Sequence, residues 1–371
     1  MITNKKIMMV ATTDNMLWQF LIPHIKHLQS MGNTVECVCS KTGFWFDELR
    51  DKFGFKMHEI DFGRNPFKLK NLKAYKKLKQ LQKQEKFDMV YCQQPVGGLM
   101  GRLIGKKFKL PVIYVAHGFH FLKGNSKIKN IMFKTIEKWL AKYTDVLVTI
   151  NEEDYEASKN WKAKHKYKIP GIGFDINKYD NSEFDKKEFK QSLGLKDDDF
   201  VVLTVAEFSP GKNYDTMLKT IAELKDTNIK LISCGRGKCE EEIKAQIKEL
   251  GIEDKVILLG YRKDINRSMQ VSDIYFLPSH REGLCLSMIE SMNFALPIVT
   301  SRVRGCQDLV EEGGNGFLEE KNDYIAYAKD IKKLATDAEL YSSMSARSKE
   351  LAPTYSIENV KKQLEDIYDK L

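Results

Sequence analysis

Asp273-Ile274-Tyr275-Phe276-Leu277-Pro278, followed after Ser279 by His280-Arg281-Glu282-Gly283-Leu284-Cys285-Leu286-Ser287-Met288-Ile289-Glu290, is the stretch whose reading decides the fold. The first segment reads as a short buried strand stopped by proline, and Met288 to Phe294 reads as a helix. Glu282 then lies on a strand-to-helix loop, and Glu290 lies one to two turns inside the helix. Between them fall the unpaired N–H groups of a helix start, where donors and macrodipole favour an anion. A phosphate flanked by two carboxylates that accept hydroxyl hydrogen bonds suits a nucleotide sugar. The same spacing also suits an exposed helix acid and a loop acid that bind nothing.

Short apolar runs alternate with helix-like stretches along the whole chain. Ile7 to Thr12, Thr34 to Ser40, Met89 to Cys92, Val112 to Ala116 and Val146 to Ile150 form one series. Phe200 to Val205, Lys230 to Cys234, Lys255 to Leu259, Asp273 to Leu277 and Pro297 to Thr300 form a second. Such alternation predicts parallel sheets covered on both faces. Asn177 to Asp199 is polar and acid-rich without an apolar period, and is expected to be the linker. The α/β fold is thus two doubly wound domains with a cleft between them, and ligands are expected beyond the carboxyl ends of the strands.

A length of 371 residues suits two domains of ordinary size. With 42% hydrophobic and 30% charged residues the composition is that of a globular, soluble protein. No apolar run approaches the ~20 residues that span a bilayer, and Ile7 to Thr12 is too brief for a signal peptide. Seven cysteines lack any metal-binding spacing; they read as reduced, buried thiols of a cytoplasmic protein. The formal charge of +9 admits nucleic acid, an anionic membrane face or anionic substrates. No ribonucleoprotein motif, helix-turn-helix or zinc finger supports the first of these. Much of the excess is local: from Pro66 to Lys86 there are eight lysines and one acid, Glu85. Leu72, Tyr75, Leu78 and Leu81 suggest an apolar stripe beneath a cationic face. That helix is either a solvated surface helix or one that also docks on anionic headgroups.

Several strand ends carry residues suited to chemistry. In Pro210-Gly211-Lys212-Asn213 a lysine opens a helix, where it can neutralise a departing phosphate or merely face solvent. Cys234-Gly235-Arg236-Gly237-Lys238 is a glycine turn after a strand. His117 and His120 end a strand in the first domain. Asn151-Glu152-Glu153-Asp154 ends another, with helix capping as its simplest role. No D-x-D pair stands at the end of an early strand to hold a metal, and no Walker A sequence is present.

The block from Glu282 to Glu290 closely resembles the E-x7-E signature of retaining glycosyltransferases of family 4, which have the GT-B fold. The resemblance continues through Ala295 to Ser301, Arg304-Gly305, Asp308 to Val310 and Gly313 to Leu318. Earlier, Val115-Ala116-His117-Gly118-Phe119-His120-Phe121 and Thr149 to Asp154 resemble the capsule and exopolysaccharide members. The likeness covers nearly the whole chain. It implies an acceptor-side Rossmann-like domain over residues 1–180 and a nucleotide-sugar-binding domain over residues 181–352. A helix over residues 353–371 is expected to cross back to the first domain.

The resemblance also implies roles. Glu290 would accept hydrogen bonds from the ribose hydroxyls, and Glu282 would contact donor-sugar hydroxyls. Backbone N–H groups around Gly283, Leu284, Cys285 and Leu286 would bind the pyrophosphate. Lys212, beside Asn213, would neutralise the leaving phosphate. Gly235 and Arg236 would lie near the nucleotide, and Arg262 would hold the base. His117, with His120 second, would contact the donor sugar. The family usually has arginine where this chain has Glu207, so Arg236 or Arg281 would compensate.

The expected activity is transfer of a hexose or N-acetylhexosamine from a nucleotide donor, most simply UDP-linked, to a saccharide on a polyprenyl-diphosphate lipid. No cofactor and no metal is expected. The enzyme would work at the inner face of the cell membrane, held there through the Lys-rich helix at residues 66–86, in capsule or exopolysaccharide synthesis. A nucleotide-sugar 2-epimerase of related fold and a non-catalytic partner subunit are the alternatives.

Overall fold

The computed structural model describes residues 2–43, 45–63, 65–121, 125–178 and 184–371. The chain forms two compact units, one of residues 1–173 with 357–371 and the other of residues 174–356. The expected division at 180/181 lies outside the described residues, and the observed one falls after Gly173.

In the first unit seven strands form a wholly parallel sheet. They are β1 (Lys6–Thr13), β2 (Thr34–Ser40), β3 (Lys56–Glu59), β4 (Met89–Gln93), β5 (Val112–Ala116), β6 (Val146–Thr149) and β7 (His165–Lys168), ordered β3-β2-β1-β4-β5-β6-β7. In the second unit β8 (Phe200–Val205), β9 (Ile229–Cys234), β10 (Val256–Gly260), β11 (Ile274–Leu277), β12 (Ile298–Ser301) and β13 (Gly316–Glu319) are ordered β10-β9-β8-β11-β12-β13, again all parallel. Strand order reverses between β1 and β4 in one sheet and between β8 and β11 in the other. Crevices at such switch points bind ligands in open α/β sheets.

The central strands are apolar on both faces because helices cover both sides of a parallel sheet. β4, β5, β6, β11 and β12 are buried throughout. Each unit has its own apolar core. The C-terminal helix Ile357–Tyr368 belongs to the first unit. Tyr368 donates to the Tyr91 hydroxyl at 3.2 Å, and Glu365 pairs with His27 at 3.0 Å.

Two expectations are corrected. The stretch read as a linker holds the helix Lys186–Ser192, whose first turn is capped by the Asp185 carboxylate through Lys187 N and Glu188 N, both at 2.9 Å. Leu195 beyond it is buried in the second core. The lysine-rich helix runs from Lys70 to Glu85, and its buried stripe is Asn71, Ala74, Leu78 and Leu81. Leu72 faces outward with 62% of its surface exposed. A strict three-residue repeat drifts around a helix of 3.6 residues per turn, so Leu72 and Leu81 cannot share a face. Of the seven cysteines, all unpaired, only Cys239 is not buried.

Candidate active site at the strand ends

In the second unit the loops after β8, β9, β11 and β12 converge on the switch point. The Pro210–Lys212 turn is tied to the β11 loop by His280 N donating to Gly211 O at 2.9 Å. Ser287 Oγ donates to Val205 O at 3.0 Å and lies 2.7 Å from the Tyr275 hydroxyl, which fixes the start of the next helix against the end of β8. Two glycines permit the close approach. A Cβ at Gly305, whose φ is +81°, would lie 2.4 Å from Gly283 O, and one at Gly235 would lie 1.9 Å from Ala206 O.

Within this frame Lys212 Nζ meets Glu282 Oε1 at 2.6 Å, and Ser279 Oγ donates to the same carboxylate at 2.7 Å. Burial pulls the Lys212 pKa down, but the charge and hydrogen bond of Glu282, together with Cys285 and Cys306, more than offset it, so the ammonium is held more firmly than usual. The helix runs from Leu286 to Asn293, beginning two residues before the expected start. Its N-cap, Cys285, makes no side-chain cap bond, so the helix presents its first amides and positive dipole end beside this charge pair. Cys285 and Lys212 are close enough to perturb one another electrostatically. Gly283 and Leu284 form the bend before it and are half-buried, as is Leu286.

Glu290, one turn in, is buried rather than exposed, and its Oε1 accepts from Lys178 Nζ at 3.1 Å. A buried acid held by a half-exposed lysine is not an idle surface charge. Arg262 is clamped by Asp264 through two bonds of 2.9 and 2.6 Å, and its guanidinium lies 5.6 Å from the Phe189 ring. Arg236 is exposed and lies 4.9 Å over Tyr261, an exposed ring that the sequence reading passed over. Glu207 is exposed. Asn213, expected among the binding residues, is buried with φ +58°, and its amide donates to Pro278 O at 2.9 Å and Lys321 O at 2.6 Å. These bonds brace the loops.

The first unit has a different strand-end site. A cavity of about 260 Å³ opens at its switch point, lined by Thr12, Thr13, Gln94, Pro95, Val96 and His120. Gln94 has φ +61° and ψ 164°, a backbone region all but reserved for glycine. Its side chain accepts from Thr12 N at 3.2 Å. Strain of this kind costs of order 1–3 kcal/mol and clusters at functional sites. Nothing in a single sequence signals it. His117 Nε2 lies 2.7 Å from Gln93 Oε1. Burial pushes its pKa down to about 3, with His24 a smaller contribution, so the ring is neutral near pH 7. Two buried carboxylates hold the loops in shape. Asp14 accepts from Thr42 N and Phe46 N, each at 3.1 Å. Asp154 accepts from Phe119 N at 3.1 Å and Asn151 Nδ2 at 2.9 Å, while Asn151 caps its helix as expected.

Two other features lie away from these strand ends. A cavity of about 770 Å³ opens at the amino-terminal ends of strands in the second sheet, between Lys190, Asp273, Phe294 and Tyr341, and contains none of the site residues above. Among the described residues, Glu36, His58 and Glu85 are placed closely enough to share a metal. Lys6 and Lys56 already fill that cluster, each pairing with both glutamates.

Residues 185–351 match the family model "Glycosyl transferases group 1", and residues 6–151 match "Glycosyl transferase 4-like". The "Putative glycosyltransferase EpsD" of Bacillus subtilis (strain 168) is 31% identical over 98% of this chain and 96% of its own. The UDP-Gal:alpha-D-GlcNAc-diphosphoundecaprenol alpha-1,3-galactosyltransferase of Escherichia coli is 28% identical over 90% of this chain and 88% of its own. Anabaena Alr3699/HepE, solved with UDP and glucose, superposes with a TM-score of 0.83 at 20% identity, over 99% of this chain and 100% of the other.

Proposed function

We propose that this chain, which belongs to the GT4-like (group 1) glycosyltransferases and has the GT-B fold, moves a hexose or N-acetylhexosamine from a UDP donor to a saccharide on a polyprenyl-diphosphate lipid, with retention, in capsule or exopolysaccharide synthesis. The observation that carries the reading is the charged constellation at the β8/β11 switch point: Lys212 against Glu282, beside an uncapped helix start, with a buried Glu290 one turn further in. The E. coli relative, whose name specifies a UDP-sugar and a lipid diphosphate acceptor, supports the choice of substrates.

In this reading the ribose hydroxyls donate to Glu290, sharing it with Lys178. The pyrophosphate lies on the amides from Gly283 to Leu286. Glu282 accepts from donor-sugar hydroxyls. As the glycosidic bond breaks, charge grows on the diphosphate, and the firmly protonated Lys212 and the helix dipole stabilise it. The acceptor attacks from the face the diphosphate leaves. The departing diphosphate oxygen takes the acceptor proton. His117, neutral and oriented by Gln93, offers a hydrogen bond rather than a charge to the sugar. Arg236 and the exposed ring of Tyr261 flank the loop that carries Arg262, where the base would rest. In this reading the site needs no metal, and it works at the inner face of the cell membrane, where its acceptor lies.

Incubation with a panel of nucleotide sugars, with and without a polyprenyl-diphosphate saccharide, tests this. UDP release that rises with acceptor, and that a chelator leaves unchanged, is the expected result. UDP release with a free epimerised sugar and no acceptor need would make the chain a 2-epimerase. No turnover of any donor would make it a non-catalytic subunit.

A further inference from the structure

Large apolar side chains are exposed in two segments of the first unit. Phe67, Leu69 and Leu72 lie at the start of the Lys70–Glu85 helix, and Ile128, Ile131 and Met132 lie on the Lys127–Leu140 helix. Leu69 and Ile128 have 80% and 81% of their surface in solvent, more than an isolated surface leucine or isoleucine needs to be explained. Both helices pack on one core, to which Ala74 and Leu78 contribute from one and Phe133 from the other. The Phe67 and Phe133 rings, 6.3 Å apart, join the two segments.

The orientation of the second helix is fixed from within. Glu137 is buried and pairs with the buried Arg102 at 2.8 Å, and Leu140 is buried one turn on. With 3.6 residues per turn, anchoring Phe133, Glu137 and Leu140 inward forces Ile128, Ile131, Thr135 and Trp139 outward. The outward stripe is therefore mostly apolar, the reverse of an ordinary surface helix. Its rim is cationic: Lys68, Lys70 and Lys73 on one segment and Lys127, Lys129 and Lys134 on the other are all exposed. Asp61 pairs with Lys70 of this rim at 2.6 Å. Phe133 also lies edge-on to His120 at 5.1 Å, and His120 lines the switch-point cavity.

We infer that this two-helix patch docks on an anionic bilayer, with Leu69, Leu72, Ile128 and Ile131 entering the headgroup–acyl boundary and the lysines contacting lipid phosphates. Apolar side chains ringed by lysine match that interface in both hydrophobicity and charge. The lysine helix alone does not make this surface, because its own apolar stripe is buried and the exposed carbons come from its entry turn and from the neighbouring helix. The inference rests on the lipid-linked acceptor proposed above: the patch would place the switch-point cavity at the height where a lipid diphosphate leaves the membrane.

Vesicle flotation of the full chain tests it, using phosphatidylcholine with phosphatidylglycerol and phosphatidylcholine alone. The wild type is expected to float with the anionic vesicles and to keep part of that binding when salt screens the lysines over ~8 Å or less. Leu69→Ser, Leu72→Ser, Ile128→Ser and Ile131→Ser together should lower the vesicle partition about tenfold at either salt concentration. These side chains are exposed, so the thermal melt should not move. Replacing Lys70, Lys73, Lys127 and Lys129 with glutamine should remove only the salt-sensitive part. Unchanged flotation of the serine variant, or no flotation of the wild type, overturns the inference. So does a concentration-dependent dimer that the serine variant abolishes, since the patch would then be covered by a second copy. UDP release with a water-soluble acceptor should be equal in all three proteins. If no acceptor supports release while flotation behaves as expected, the substrate reading fails and the docking surface stands.

Discussion

The two units place their sites at equivalent positions, the switch points of parallel sheets, yet fill them with opposite chemistry. In the second unit the strand ends carry paired charges, Lys212 with Glu282 and Lys178 with Glu290, around a helix start. In the first, the strand ends carry a neutral imidazole on an amide, and the carboxylates of Asp14 and Asp154 turn inward to bind backbone N–H groups. A charged site suits a group whose charge grows during reaction. A neutral, braced array suits hydroxyl groups that must be oriented without being ionised. The fold supplies the location, and the side chains divide the labour.

The sharpest way to break that comparison is to remove the charge that should matter most at the transition state. Lys212→Ala should lower kcat on the order of 10²–10³-fold and raise donor KM far less. Near-normal turnover would mean that the charged site does not stabilise the leaving group, and steady-state kinetics on the purified variant would show it. The matching change in the neutral site is Asp154→Ala. It strips acceptors from Phe119 N and Asn151 Nδ2, and unsatisfied buried donors cost ~1–3 kcal/mol each. Denaturant unfolding should show a loss of about 2–4 kcal/mol, with the loop from His117 to His120 loosened; a loss below half a kcal/mol would show that the carboxylate braces nothing.

A smaller effect is expected from Glu290→Gln. A hydrogen bond to a charged acceptor is worth ~1.5–3 kcal/mol, so UDP affinity by calorimetry should fall roughly ten- to hundredfold. The fold should hold, because the surviving partner, Lys178, is half exposed and can return to water. Unchanged affinity would leave the Lys178–Glu290 pair as a structural clasp and strip the second unit of half its charged character.

What the sequence made legible follows the same physics. Central strands such as β4, β5 and β11 bury both faces, so their apolar runs stand out. The three strands that escaped notice, β3, β7 and β13, are all sheet edges. Lys-Met-His-Glu and His-Lys-Tyr-Lys carry charge because an edge needs no second cover. The charged site was legible because its acids, lysine and glycines stand close together in motifs. Gln94 was not, since backbone strain leaves no mark on residue type, and the segment ending at Asp154 was legible as a helix cap but not as a carboxylate turned inward onto Phe119 N. The lysine helix was legible as a helix but not as a face, because a three-residue repeat does not say which side the core will take.

The smallest predicted effect concerns the charge state of the neutral site itself. His117 in the folded chain has its pKa pushed down to about 3, from an ordinary ~6.5, because burial penalises the imidazolium. The unfolded chain therefore binds a proton below about pH 6.5 that the folded chain refuses until about pH 3. Stability rises with pH wherever the unfolded state holds more protons, so His117 costs nothing above pH ~6.5 and progressively more as pH falls towards 3. Between pH ~7.5 and ~5.5 that cost should grow by about 1.4 kcal/mol. His24, lowered to about 4 by its own burial, adds a slope of the same sign. His117→Gln, which keeps a hydrogen-bonding side chain toward Gln93, should remove the first share and leave the second. Urea midpoints measured across this range should therefore fall less steeply in the variant than in the wild type. Parallel curves would mean that the ring already accepts a proton in the fold near pH 6, and the contrast between a charged and a neutral strand-end site would be lost.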